Sequence, residues 1–267
     1  MTYFGFLLRF LVIPIIIFFL IYLVDEKNKK YISGFKNGRY VWIAIGIHVL
    51  LALIYTTPWD NYLVATGVWY YNPQLVTGIV LGYVPIEEYT FFVLETLFVG
   101  LWWWFLARRL DFKAEKFISS SKIRFGSFAV LFVVWIISTV LFFAGPASLT
   151  YLSIIFFWAL PPIALQLLFG ADILWHHRQL VGLTILPMVL YLSVVDSLAI
   201  TASTWTIAPD QSTGVLLGGV LPIEEAIFFL VTVALVTFGM TLFLADEAQD
   251  RVREWFPKLK NRREQRI

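Results

Sequence analysis

GYVPIEEYTFF, residues 82–92, and GGVLPIEEAIFF, residues 218–229, each set two glutamates beside a proline in an otherwise apolar stretch. Four carboxyl groups in such surroundings need a reason, and so does their appearance in two near-copies. The surroundings come first. The chain has 267 residues, 60% of them hydrophobic and only 14% charged, with 11 Trp and 25 Phe. Soluble domains carry about a quarter charged residues, so this composition cannot coat a soluble globule and defines an integral membrane protein. Cysteine is absent, which excludes disulfides, thiolate metal sites and cysteine nucleophiles.

A hydrocarbon core of about 30 Å takes roughly 20 apolar residues to cross. Runs of that kind lie near 4–24, 41–60, 75–106, 126–144, 149–169, 181–201 and 214–244, so the fold class is all-α, a polytopic protein of seven transmembrane helices. The first run lacks a basic leader and a small-residue cleavage site, and reads as a retained span rather than a signal peptide. Of the 20 Lys and Arg, Arg9 alone lies away from the connections after spans one, three and five and the tail. By the positive-inside rule those segments are cytoplasmic, which places the protein in the cell (inner) membrane with its N-terminus outside and its C-terminus inside.

The two quoted stretches belong to a longer echo. Asp60, Trp69 and Gly78 recur as Asp196, Trp205 and Gly214 at an offset of 136, and Pro85, Glu87, Glu88, Phe91 and Phe92 recur as Pro222, Glu224, Glu225, Phe228 and Phe229 at 137. One inserted residue near the double glycine accounts for the change of offset. This is an internal duplication: a first repeat over 1–110, a loop and linker span over 111–147, a second repeat over 148–245 and a basic tail over 246–267. Three spans plus one linker span make the copies parallel, related by a pseudo-twofold axis along the membrane normal. If residues 74–87 are helical, Glu87 lies about 20 Å along the helix from Gln74, deep in the core, with helix breaks expected at Gly82 and Pro85 and at Gly218, Gly219 and Pro222.

A carboxyl group inside a membrane reads as functional, and no Lys or Arg lies within the last six spans to pair with these. Burial in a dry site favours a neutral carboxylic acid, which is a general acid. Helical spacing sets Glu87 over Phe91 and Glu88 over Phe92 and Glu95; Glu224 and Glu225 stand likewise over Phe228 and Phe229, with Thr232 in place of the third carboxyl. Those aromatic faces suit the stabilisation of a carbocation. Acid plus aromatics in an apolar chamber points to proton-initiated chemistry on a polyene.

Seven spans, a duplicated three-helix unit and a P-x-E-E motif in each copy resemble the lycopene cyclases of the heterodimeric or fused membrane type. The resemblance covers nearly the whole chain. It implies a non-redox isomerase, a lycopene β-cyclase of carotenoid biosynthesis. An acid protonates C2 of the linear end group and leaves a cation at C1. The C5=C6 bond attacks to close the ring, and loss of a proton from C6 gives the β-ring or from C4 the ε-ring. By the motif match Glu87, Glu88, Glu224 and Glu225 form the acid/base set, Phe91, Phe92, Phe228 and Phe229 line the cation site, and Asp60, Asp196 and Glu95 are supporting partners. The flavin-dependent cyclase class needs a dinucleotide fingerprint that is absent here, so no cofactor and no metal are expected. The implied partners are lycopene, a C40 polyene, and membrane lipid, with no nucleic acid; a homo-oligomer is compatible with the sequence, which carries no signature of one.

Other readings share some of these features. An ε-cyclase would differ only in the proton lost, and a carotenoid hydratase would add water to the cation. A proton-coupled transporter would also use parallel repeats and membrane glutamates, whereas a Mg²⁺-dependent prenyltransferase needs clustered aspartates and Asp60 and Asp196 are isolated. His48 reads as a packed polar residue, His176 and His177 as interfacial residues beside Arg178, and the basic tail as a contact to anionic lipid.

Overall fold

The computed structural model describes residues 1–28, 35, 40–110 and 116–255. Several of the basic residues used to orient the chain, including Lys29, Lys36 and Lys113, and the tail from 256 onward lie outside them. The first span is built in three pieces: α1 (Tyr3–Leu7), a π-helical turn (Leu8–Val12) and α2 (Ile13–Lys27). After it come α3 (Val41–Ala65), α4 (Ile86–Ala107), α5 (Ser121–Ala144), α6 (Thr150–His176), α7 (Arg178–Thr201), α8 (Ile223–Leu244) and a short α9 (Asp246–Trp255). Among the described residues seven helices are long and apolar enough to cross a membrane.

The third and seventh spans differ from expectation. Residues 75–85 are not helix. A hairpin, β2 (Val80–Leu81) with β3 (Val84–Pro85), leads into α4, and its counterpart, β5 (Leu216–Leu217) with β6 (Leu221–Pro222), leads into α8. Each motif proline caps a helix instead of breaking one: Pro85 and Pro222 are the N-cap residues of α4 and α8. Proline suits a helix start because the first N–H groups have no intrahelical partner anyway. The glutamates therefore sit in the first turn of their helices, not 20 Å along one. Ile79, Val80, Leu81 and Tyr83 are apolar yet exposed, which is why hydropathy alone runs the hairpin into the span. The inserted residue also finds its place. Two residues separate β2 from β3 and three separate β5 from β6, where Gly218 and Gly219 both take the left-handed backbone that a side chain resists.

The loop between α3 and β2 contains β1 (Trp69–Tyr71), and the matching loop after α7 contains β4 (Trp205–Ile207). They pair antiparallel, Trp69 with Ile207, Tyr70 with Thr206 and Tyr71 with Trp205. Shifting each residue by 136 exchanges the two strands and reproduces the same register. A local twofold axis therefore passes through the Tyr70–Thr206 pair. Around it α4 and α8 form the buried centre, where Trp103 Nε1 donates to Thr241 Oγ1 at 3.0 Å. By contrast α5 fully buries only Ser138 and packs mainly on α6.

Prolines inside the spans free main-chain carbonyls four residues earlier, and neighbouring helices satisfy them. Pro14 frees Phe10 O, which accepts from Tyr191 Oη at 2.7 Å; Pro162 frees Trp158 O, which accepts from Tyr55 Oη at 2.8 Å. Pro161 likewise frees Phe157 O, taken by Trp135 Nε1 at 3.0 Å. At the opposite end from the hairpins, the basic end, Arg109 pairs with Asp25 at 2.8 Å and Arg108 with Glu26. The described part of the tail, α9, is docked there by Arg251, which donates to both oxygens of buried Asp172 at 2.8 and 2.7 Å and to Phe169 O at 2.6 Å, beside the kink at Gly170.

Candidate functional site

The first turn of α4 or α8 carries two adjacent glutamates about 100° apart, and the fold gives each a different task. Glu87 and Glu224 turn back toward the loops. Glu87 Oε1 accepts from the Thr77 N–H at 2.6 Å, and Glu224 Oε1 accepts from the Thr213 N–H at the same distance. The main chain repeats the closure, Ile86 N to Ile79 O and Ile223 N to Val215 O, both 2.9 Å. The first glutamate of each motif thus fastens the hairpin to its helix. Its other oxygen is buried and has no partner among the described residues.

Glu88 and Glu225 face inward. Both line one cavity at the hairpin end of the helices, with a volume of about 40 Å³, together with Asp196 and the rings of Phe91, Phe228 and Phe229. Tyr3 Oη donates to Glu88 Oε2 at 2.6 Å and Tyr71 Oη donates to the same oxygen at 3.0 Å. Tyr151 Oη donates to Glu225 Oε1 at 2.6 Å. Burial first, and then the nearby Glu88 carboxyl, push the Tyr71 phenol well above its ordinary range, so it remains a donor. Among the described residues no lysine or arginine lines this cavity, leaving the phenols as the groups that orient Glu88 and Glu225. Across the axis, Trp205 packs on Tyr3 (4.8 Å between centroids) and Trp69 packs edge-on against Tyr151 (5.8 Å).

The remaining expected residues divide. Asp196 lies in the cavity wall and accepts from Trp205 Nε1 at 2.8 Å. Asp60 is buried but does not line the cavity. Glu95 sits two turns along α4 from Glu88, in the wall of a second cavity, and accepts from Thr232 Oγ1 at 2.8 Å. Phe92 also belongs to that second cavity, whereas Phe228 borders both. His48 Nδ1 lies 2.7 Å from Ala44 O, as a packed polar residue would. At the basic end His177 Nε2 is hydrogen-bonded to Glu247 of α9 at 3.3 Å, and His176 Nε2 lies 3.6 Å from the other oxygen of the same carboxyl.

Tyr3, Tyr71 and Tyr151 have no place in the sequence reading. A signal for two of them exists: Tyr3 and Tyr151 are matched at an offset of 148, as are Pro14 and Pro162. The offset differs from 136 because residues 28–40 join the first two helical spans whereas His177 alone joins α6 to α7. Aligning the copies at one spacing therefore hides the tyrosines.

Glu88 and Glu225, buried on the walls of an aromatic cavity and held by phenolic donors, are groups that can give and take protons beside rings that favour a cation. Fold and site thus define a polytopic helical membrane protein with two buried glutamates meeting at one cavity. The chain is 39% identical over 205 residues to a lycopene beta-cyclase of Halobacterium salinarum, covering 74% of this chain and 81% of the relative. Bifunctional lycopene cyclase/phytoene synthases of Podospora anserina and Phaeosphaeria nodorum are 32% and 35% identical over 77% and 73% of this chain, which spans only 36% and 34% of their length. The chain belongs to the lycopene cyclase family. No protein-family model matches it, and no solved structure does.

Proposed function

We propose that this protein is a lycopene β-cyclase of the fused membrane type, an isomerase that closes the linear end groups of lycopene in carotenoid biosynthesis. The observation that carries this reading is the convergence of Glu88 and Glu225, one from each P-I-E-E motif, on a single phenylalanine-walled cavity. One of the pair protonates C2 of the end group. The C5=C6 electrons close the ring onto C1, the cation at C5 lies among Phe91, Phe228 and Phe229, and the other carboxyl takes the C6 proton. Each proton gained is matched by one lost, so the product is an isomer and no redox partner is needed.

The other members of the motif set have supporting parts in this reading. Glu87 and Glu224 hold the hairpins, and so the orientation of the first turn that carries the reactive carboxyls. Tyr3, Tyr71 and Tyr151 fix the rotamers of Glu88 and Glu225, and Asp196 and Asp60 tune the surroundings. The domain organisation that goes with it is two cyclase repeats, 1–110 and 148–245, joined through 111–147, the copies parallel in the membrane with the hairpin end outside and the basic end cytoplasmic. Phe92 and Glu95 belong with the neighbouring cavity. Lycopene and membrane lipid are the partners, and the charge asymmetry of the connections supports the orientation.

Expression in a bacterial host that accumulates lycopene tests the reading. Products of unchanged mass with the spectra of β-rings are expected. ε-Ring spectra would reassign the proton that is lost, products heavier by water would make the protein a hydratase, and unaltered lycopene with the protein in the membrane would overturn the cyclase reading in favour of transport.

A further inference from the structure

The local twofold axis makes one departure from symmetry informative. The second cavity, of about 220 Å³, is more than five times the volume of the one that holds Glu88 and Glu225. Its wall is formed by α3, α4, α6 and α8; most of the lining surface is apolar, with Ala52 and Leu235 contributing to it, while His48, Glu95 and Gln166 add polar groups. It reaches the outer face of α3 at Leu51, which is 55% exposed. Toward the hairpin end that opening stops where Tyr55 bonds to Trp158 O and Trp59 packs on Phe157.

The twofold-related position is filled. The offsets of 136, 137 and 148 carry Ala52, Leu235 and Gln166 onto Met188, Phe98 and Phe18. Phe18 and Phe98 pack together with centroids 5.9 Å apart, and Phe98 stacks edge-on against Tyr191 at 5.5 Å. Three small or slender side chains on one side face three bulky ones on the other. A fold that needed this space only for packing would close both sides alike.

We infer that the one-sided cavity holds the unreacted polyene arm of the substrate while its end group lies between Glu88 and Glu225, and that the arm enters from lipid beside α3. This rests on the cyclase reading for the identity of the polyene. The two cavities share Phe228 and are stacked along α4, Glu95 lying about 10 Å beyond Glu88 at the helical rise. A rigid linear chain gripped at one end by the first cavity must continue somewhere, and the twofold-related route is blocked. A single arm cavity means that the two ends of lycopene are cyclised in turn, with release or reorientation between them.

The test separates binding from turnover. The Glu88→Gln, Glu225→Gln double variant, in phosphatidylcholine nanodiscs, is loaded with lycopene and the retained polyene per protein is read from its absorption. Adding Ala52→Met, or separately Leu235→Phe, puts onto the open side a residue that the filled side already tolerates. Either should lower retention at least tenfold in protein that remains monodisperse, whereas Met188→Ala should leave it unchanged. Undiminished retention in a filled variant would overturn the proposal, and so would a double variant that retains acyl lipid and no polyene. Retention that follows this pattern alongside a wild-type protein that never cyclises lycopene would leave the arm cavity standing and sink the cyclase reading instead.

Discussion

Tyr191 Oη donates to the main-chain oxygen of Phe10 at 2.7 Å, and the bond exists because Pro14 leaves that oxygen without a helical partner. The same arrangement joins Tyr55 to Trp158 above Pro162. In one case α7 bonds to the first span and in the other α3 bonds to α6. Tyr191→Phe removes the partner of this part-buried carbonyl and should cost about 0.5–1.5 kcal/mol. Adding Pro14→Ala returns an N–H to the helix and should recover most of that loss. Unfolding followed in detergent checks this; a double variant no more stable than Tyr191→Phe alone would show that the carbonyl is not the cause.

Glu88→Gln and Glu225→Gln preserve shape while removing proton transfer. Each should reduce cyclised product by about 10²–10⁴-fold, with protein levels in the membrane unchanged. Pigment analysis of a lycopene-accumulating host reads the outcome directly. Wild-type product from both variants would remove these two groups from the mechanism.

Glu87 and Glu224 should behave differently. Gln at either position still accepts the Thr77 or Thr213 N–H through its side-chain oxygen, so Glu87→Gln and Glu224→Gln should keep a large part of the activity. Glu87→Ala and Glu224→Ala delete the part-buried bond from the Thr77 or Thr213 N–H, a contact worth about 0.5–1.5 kcal/mol, and should lower both thermal stability and yield. Equal loss in the Gln and Ala variants would give these carboxyls a proton-transfer role.

The phenols hold the carboxyls of Glu88 and Glu225 in place. Tyr3→Phe and Tyr151→Phe each delete one hydrogen bond to a carboxyl oxygen, a contact worth roughly 1.5–3 kcal/mol when the acceptor is charged. Turnover should fall by about one to two orders of magnitude, most of it in kcat rather than KM, because each hydroxyl is engaged with a carboxyl oxygen. Glu88 keeps Tyr71 when Tyr3 is changed, so Tyr3→Phe should be the milder of the two.

Much of this architecture can be read in the sequence. Seven apolar runs are a property of composition and spacing, and seven long apolar helices match them; Glu88 and Glu225 of the P-I-E-E stretches line one cavity. Two features escape for physical reasons. Pro85 and Pro222 disrupt a helix if they are inside it but start one equally well, and apolar residues at a hairpin tip such as Ile79 and Leu81 look the same in sequence as residues inside a span. Tyr3 and Tyr151 escape because the connection that precedes the second span is longer in one copy than in the other. The different directions of Glu87 and Glu88 follow from the 100° step of the helix, but only the structure tells which of them meets a loop and which the cavity.

The most direct measurement is the cyclisation of lycopene by purified protein in D₂O. Proton-initiated ring closure by a carboxyl in exchange with solvent places one deuterium at C2 of every ring formed, so the β-carotene product should carry two and the one-ring intermediate one. Cyclised product without solvent deuterium would contradict the central claim that an acid of the protein starts the reaction.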